Sequence, residues 1–383
     1  MYDAIVVGCG LSGAVAARYM AEEKKKKVLI LERREHIGGN MYDYVNKDGI
    51  LVHKYGPHTF HTNNKEIYDY ICRFGNWNEY KLTCGAVIDG KYTPTPFNYT
   101  TIDTFFDKVK AKSIKESIDK FYSKKNFATV LEMLNHRDLN IKEYAKFLFD
   151  KDYSLYTAKQ WGVSPEEIDP SVLSRVPVRF NYEIGYFDDK YQVMPEISYT
   201  EFFENILNYS GITIRTSIDA RTMIRLEPET CQIYVNNQIF KGDIIYTGPI
   251  DELFENCYGN LPYRSLRFEW ITENKKSFQP APVVAYPQAN DYTRITEYTK
   301  LPLQEVGNKT TYAIEYPLPY ESSGKNEPYY PVLTAKSKVM YEKYRILAEK
   351  YKNLFLCGRL ADFKYYNMDQ VLENTFKMLR KIE

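Results

Sequence analysis

MYDAIVVGCGLSGAVAARYM, residues 1–20, runs from an apolar stretch into a cluster of glycines and then into small residues. Ala4 to Val7 is too short and too β-branched for a helix core, and predicts a buried strand. Gly8, Gly10 and Gly13 spell G-x-G-x-x-G, and Ala14 to Glu23, small at its start, predicts a helix. Val28 to Leu31 predicts a second strand, ending at Glu32; the lysine run Lys24–Lys27 between them reads as a solvated turn. This is a β-α-β unit for a dinucleotide. Gly8 permits the tight turn, Gly10 lets a pyrophosphate approach the backbone, and Gly13 lets helix and strand pack closely. The helix N-terminus offers phosphate its free N–H groups and the positive end of its dipole. Glu32 stands about 20 residues on, where an acid binds ribose hydroxyls. A carboxylate there disfavours a 2′-phosphate, so the choice narrows from NADP to NAD or FAD.

Working outward, RREHIGGN follows at residues 33–40, with Gly38-Gly39-Asn40. A second glycine pair soon after the acid is common in flavoproteins of the glutathione-reductase type. The late segment CGRLAD (Cys357–Asp362) is similar to their C-terminal strand-turn, which returns to the flavin. Together these favour FAD, kept as a tool, over NAD exchanged at each turnover.

Further along, residues from about Lys65 to Lys159 carry helical patterns, and IKEYAKFLFDKDY (Ile141–Tyr153) is amphipathic. Val176 to about Gly248 alternates like paired strands. DIIYTGPI (Asp243–Ile250) and NLFLCGRL (Asn353–Leu360) predict buried strands, Lys336–Lys350 and Asp369–Lys381 helices. The fold class expected is α/β: a Rossmann-like FAD-binding domain with a helical insertion and a twisted antiparallel sheet. Residues 1–78 are its first segment, 79–165 the helical insertion, and 166–320 the sheet and substrate domain. A FAD-domain segment lies near 200–250 within the last of these, and 321–383 return to the FAD domain. The formal net charge of +1 argues against a nucleic-acid partner held by bulk charge. Six cysteines lie far apart without a C-x-x-C pair, which points to no metal site and to reduced thiols in a cytoplasmic protein. No apolar run reaches the ~20 residues that span a bilayer, and no secretory leader is recognisable, so no membrane partner is expected. Tyrosine, at 36 of 383 residues, suits a wide polar cleft or reflects compositional bias.

Ten ordered segments carry a more specific signal. They are HIGGN (His36–Asn40), HKYGPHTFHTNN (His53–Asn64), YTAKQWG (Tyr156–Gly162), RVPVRF (Arg175–Phe180) and YTGPID (Tyr246–Asp251). The others are YRSLRFE (Tyr263–Glu269), YTRITE (Tyr292–Glu297), EYP (Glu315–Pro317), EPYYPV (Glu327–Val332) and GRLADFKYYNMDQV (Gly358–Val371). In these the chain resembles the bacterial-type UDP-galactopyranose mutase family along nearly its whole length. The resemblance implies an isomerase that interconverts UDP-galactopyranose and UDP-galactofuranose without net redox change. FAD would be active when reduced, its N5 attacking the anomeric carbon as UDP leaves, through a flavin-iminium intermediate. Partners implied are the nucleotide sugar, an external reductant for the flavin and a second copy of the chain, in a homodimer through the helical part.

A leaving diphosphate needs pinned cations, and arginine suits this because its fork bonds phosphate and stays charged. The family pair maps onto Arg175 and Arg294, with Arg264 a third cation for the pocket. The resemblance places Tyr156, Thr157, Trp161 and Tyr186 on base and sugar, Tyr156 stacking on uracil. Tyr316 and Tyr365 would donate to phosphate, with Asn367 beside them. His58 is expected near flavin N5 with Thr59, rather than as a metal ligand, since neither it nor His61 has a third ligand nearby. The cofactor set expected is Gly8, Gly10, Ser12, Gly13, Glu32, Arg33, Gly39, Asn40, His58, Thr59 and Arg359. Met368, Asp369, Gln370, Val371 and Leu372, the start of the last helix, complete it.

Three departures from the family pattern bear on the sugar. Asn367 replaces a common Asp, Ile197-Ser198 replaces a glycine pair, and Tyr298 replaces a frequent histidine. They leave open a mutase acting on UDP-N-acetylgalactosamine or TDP-fucose. A flavin amine-oxidase-type oxidoreductase and a non-catalytic flavin-binding regulator are the readings from other classes.

Overall fold

The computed structural model describes residues 2–162, 164, 176–321 and 326–382. Among the elements that build the site, β1 (Ala4–Val7) leads through α1 (Leu11–Glu22) to β2 (Val28–Leu31). Strands β3 (Cys84–Ile88) and β4 (Lys91–Thr95) precede the helices, which end in α2 (Leu139–Leu148) and α3 (Ser154–Trp161). Then come β5 (Ile212–Arg215), β6 (Asp243–Tyr246), β7 (Tyr263–Glu273), β8 (Val283–Ala285) and β9 (Arg294–Glu297). The last are β10 (Thr310–Pro319), β11 (Tyr330–Pro331), β12 (Leu354–Leu356) and α4 (Met368–Leu379).

Five strands pair in parallel in the order β5-β2-β1-β6-β12. The N-terminal unit is thus the centre of a Rossmann-like sheet, completed by strands hundreds of residues away. Val28, Leu29, Ile30 and Leu31 are all at most 3% exposed, because the sheet is covered on both faces, which is why β2 reads as an unbroken apolar run. Burying such side chains contributes about 1.5–3 kcal/mol each. Small residues let α1 lie close: Ala14, Val15, Ala16 and Ala17 are fully buried. A Cβ on Gly13 would stand 2.0 Å from the Gly8 carbonyl oxygen, so only glycine fits there.

The second sheet has the order β11-β7-β10-β9-β8-β3-β4, antiparallel except for the β8–β3 pair. Residues 84–95, grouped on sequence with the helical insertion, are therefore strands of this sheet, and the following helices begin at Tyr99. Tyr330–Pro331, grouped with the C-terminal return, also pairs here, with β7. The chain rejoins the parallel sheet only after the helix Ala335–Ala348, at β12. Sequence periodicity missed β3 and β4, and backbone pairing decides which sheet each strand serves.

Ile141–Tyr153, expected as one amphipathic stretch, is α2 followed by a π-helical segment, Phe149–Tyr153, that runs directly into α3. The wider turn shifts the helical phase, as such segments often do near functional sites. Ser198, one of the departures, accepts the Glu201 N–H at 3.0 Å and caps the helix Tyr199–Leu207. No helix among the described residues is long and apolar enough to cross a membrane.

Candidate active site

A cleft opens beyond the carboxyl ends of the parallel strands, where open α/β sheets bind ligands. Gly8, Gly10, Ser12, Glu32, Arg33, Gly39, Asn40, His58, Arg359, Met368 and Val371, all expected at the cofactor, line it. Gly10 sits at the N-cap of α1 with no side-chain cap, which leaves the first-turn N–H groups for an anion. A Cβ on Gly39 would lie 2.7 Å from Gly10 Cα, so the second glycine pair lets its turn close against the first. Glu32 is 5% exposed and accepts the Cys9 N–H at 2.7 Å and the Arg34 N–H at 2.9 Å. Each carboxylate oxygen keeps a lone pair for a ribose hydroxyl. Arg33 pairs with Glu327 at 2.6 Å, and Arg34 donates to both Glu327 and Asn40 at 2.9 Å. The donor set therefore fits a dinucleotide: a phosphate-facing helix end, an acid for ribose and an uncrowded glycine floor.

The start of α4 is only partly as expected. Met368 and Val371 line the cleft, one helical turn apart on one face. The side chain of Leu372 is fully buried in the core, Gln370 is exposed, and Asp369 is not a lining residue. Gln370 accepts the Asn367 N–H at 3.0 Å, so Asn367 serves as the N-cap of α4. The sequence also passed over Ile218–Arg221, Thr247 and Gly248, which line the cleft after β5 and β6. Thr247 and Gly248 stand in the YTGPID segment but were not singled out, and no motif marks Ile218–Arg221; all reach the cleft because their strands join the parallel sheet.

His58 Nδ1 lies 2.9 Å from the Gly56 carbonyl, and the backbone N–H of His58 donates to His53 Nδ1 at 3.1 Å. Burial pushes His58 down to about 3, helped by His53 and Arg359 nearby, so the ring is neutral at pH 7. Thr59 is half-buried next to it. His61 is turned away, to Asp189 at 2.8 Å. Among the described residues no group of three His, Cys, Asp or Glu could hold a metal ion.

Arg294 comes from β9 opposite Glu315 of β10. Residues paired across strands share a face, and Arg294 Nε stands 2.8 Å from Glu315 Oε2. Glu315 is 1% exposed and accepts from Thr296 Oγ1 at 3.0 Å. Burial would lower the guanidinium pKa, but Glu315 and Tyr156 hold it well above the ordinary value. Tyr156 of α3 is influenced by Arg294, Glu315, Tyr330 and Tyr186, and burial raises its pKa. Thr157 and Trp161 are each 6% exposed; Trp161 packs edge-on to Tyr330 at 5.1 Å and tilted against Tyr365 at 5.5 Å. Tyr186 stands edge-on to Phe187, and Arg359 lies 5.1 Å over the Tyr365 ring.

Three substrate expectations turn out otherwise or lie out of reach. Tyr316 follows Glu315 on β10, so strand alternation turns it to the opposite face. There it donates to Glu269 at 2.9 Å beneath Arg267, 3.9 Å from its ring centroid. Tyr330, in the EPYYPV segment, occupies the place beside Trp161 and Tyr365; the motif was its signal, but neither it nor Glu315 was singled out. Arg264 is spent on the end of α3, donating to the Gln160 carbonyl at 3.0 Å and the Lys159 carbonyl at 3.2 Å. Arg175 lies outside the described residues. Tyr298, the third departure, is fully buried against His53 and Trp270.

A profile of the NAD(P)-binding Rossmann-like domain matches residues 6–74, and one of UDP-galactopyranose mutase matches residues 151–365. The chain is 33% identical to a probable UDP-galactopyranose mutase of Klebsiella pneumoniae, over 97% of this chain and 92% of the relative. It is 32% identical to a dTDP-fucopyranose mutase of Escherichia coli, over 98% of this chain and 97% of the relative. A solved structure of reduced UDP-galactopyranose mutase superposes with a TM-score of 0.74 at 15% identity, covering 100% of this chain and 94% of that one, which speaks to the fold.

Proposed function

The chain belongs to the UDP-galactopyranose mutase family, and from that premise we propose that it interconverts UDP-galactopyranose and UDP-galactofuranose with bound, reduced FAD. The observation that supports this reading is that two residues lining the dinucleotide cleft reach the aromatic and cationic group: Arg359 lies over Tyr365, which packs on Trp161 and Tyr330, and His58 feels the charge of Arg294. Amine oxidation has no use for a cation aimed at a diphosphate.

When bound and reduced, FAD would supply an electron-rich nucleophilic nitrogen, N5, for a reaction without net redox change. The chain's own residues do the rest. Gly8–Gly13 and the open end of α1 hold the pyrophosphate, Glu32 the ribose, and Met368 with Val371 wall the cleft. His58 stays neutral and so offers one ring nitrogen as donor or acceptor without adding charge. Arg294, kept protonated and oriented by Glu315, steadies the departing diphosphate, with Arg175 as its partner by sequence. Tyr156 stacks on the base, while Trp161, Tyr330 and Tyr365 exclude water from the sugar. An external reductant must supply the flavin, and a homodimer through the helical part belongs to the same reading.

A second reading has a specific observation behind it. The full-length similarity to a dTDP-fucopyranose mutase, together with Asn367 at the cap of α4, supports a mutase for another nucleotide sugar. The test is anaerobic turnover by dithionite-reduced, FAD-loaded protein. UDP-galactofuranose, the furanose form of UDP-N-acetylgalactosamine and TDP-fucofuranose are compared. Ring interconversion of the first without flavin reoxidation supports the proposal. Faster turnover of either other sugar transfers it to that substrate, and none with any of the three refutes it.

A further inference from the structure

The last turn of α3 is tied down by two cations pulling in different directions. Arg264 reaches it from β7, as described. Lys159 reaches outward from it: Nζ donates to the carbonyls of Tyr286 at 2.7 Å, Ala289 at 2.6 Å and Tyr292 at 2.8 Å. An ammonium has three N–H donors, and all three are engaged. The acceptors belong to the turn between β8 and β9, which enters β9 at Arg294. Burial lowers the Lys159 pKa to about 8, opposed by Asp291 and Asp152. The three convergent carbonyl dipoles also favour the charged form against that burial. Lys159 stands three residues after Tyr156, so the two share a face of α3. The turn has order of its own, since Tyr286 N–H donates to Thr293 at 2.8 Å and Ala289 N–H to Tyr286 at 3.2 Å.

We propose that Lys159 is a positioning residue: it locks the helix carrying Tyr156, Thr157 and Trp161 to the turn that leads into Arg294. The base-stacking and phosphate-binding groups are then held at one separation. This rests on reading those residues as substrate contacts. The clamp is specific to an ammonium. Three acceptors converging on one point suit a compact charge with rotating donors, and a planar guanidinium fork cannot meet them.

The experiment uses FAD-loaded wild type, Lys159→Met and Lys159→Arg. Flavin content and melting temperature establish folding, calorimetry gives UDP affinity, and hydrogen exchange reports on residues 286–293. The expected result for Lys159→Met is retained flavin, a Kd for UDP raised about tenfold or more, and faster exchange in the turn. Lys159→Arg keeps the charge yet fails to restore affinity. A Kd within about twofold of wild type for flavin-loaded Lys159→Met overturns the proposal, and so does full rescue by arginine. If wild type itself does not bind UDP, the substrate reading falls. The clamp is then decided by exchange alone, and unchanged exchange at 286–293 refutes it. If Lys159→Met does not fold, Lys159→Arg is judged by the same affinity and exchange criteria.

Discussion

Replacing Arg294 with alanine would strip Glu315 of its counter-ion while leaving the carboxylate 1% exposed. At the observed separation of 2.8 Å the pair attracts by about 6 kcal/mol at an effective dielectric constant of 20. Desolvation offsets part of this, and breaking a buried pair from one side costs about 3–5 kcal/mol. Glu315→Gln costs less, about 1–2 kcal/mol, because the Arg294 side chain is 26% exposed and water can partly replace its partner. In the double variant neither charge remains. Its loss should be about 2 kcal/mol, well below the sum of the singles, with a coupling of about 3 kcal/mol. Urea unfolding of the four flavin-loaded proteins measures the cycle. Turnover separates the two roles: Arg294→Ala should fall by about 10²–10³ in kcat, and the double variant, though more stable, should not recover. Additivity within about 0.5 kcal/mol would refute the claim that Glu315 holds Arg294, and recovered turnover would refute the phosphate role.

Other outcomes follow from the same geometry. Tyr316→Phe should leave UDP affinity unchanged, whereas Tyr330→Ala should weaken it by about tenfold, as titration calorimetry would record. Gly10→Ala should fold but lose flavin, because a Cβ there meets only Gly39 Cα at 3.7 Å yet intrudes where a pyrophosphate must approach; Gly13→Ala, with its 2.0 Å clash on the Gly8 carbonyl, should not accumulate as folded protein. Absorbance at 450 nm per mole of soluble protein distinguishes the two. Burial pushes His53 down to about 3, so its stabilising contribution is complete above about pH 6.5 and is lost as pH falls towards 3, about 2 kcal/mol by pH 5. His53→Gln should flatten the acid limb of urea stability between those values, and an unchanged limb would count against a neutral buried ring.

Much of the cofactor half was legible in the chain because its signals are local. The turn at Gly8, the close packing at Gly13 and the acid ending β2 all act within one β-α-β unit of about 30 residues. The substrate half depended on motifs whose residues are adjacent in sequence but not in orientation. Glu315 and Tyr316 are neighbours, and which of them faces Arg294 is set by strand register, which no single strand encodes. Arg264 and Lys159 are both cations in matching segments. Their work was invisible, because the carbonyls they serve belong to elements brought up by folding. Residues 84–95 were grouped on sequence with the helical insertion, and only pairing with β8 puts them in the large sheet.

The amino-acid sequence alone determined the nucleotide-binding unit, the class of cofactor cleft and the family, because glycine spacing, apolar runs and the terminal acid act over short distances. Tertiary structure decided which neighbour on β10 faces Arg294, which arginine is tied to the end of α3 and which carbonyls receive Lys159. Those outcomes depend on the face a side chain takes in its sheet or helix and on where distant backbone carbonyls come to rest, and both are set only when the whole chain packs.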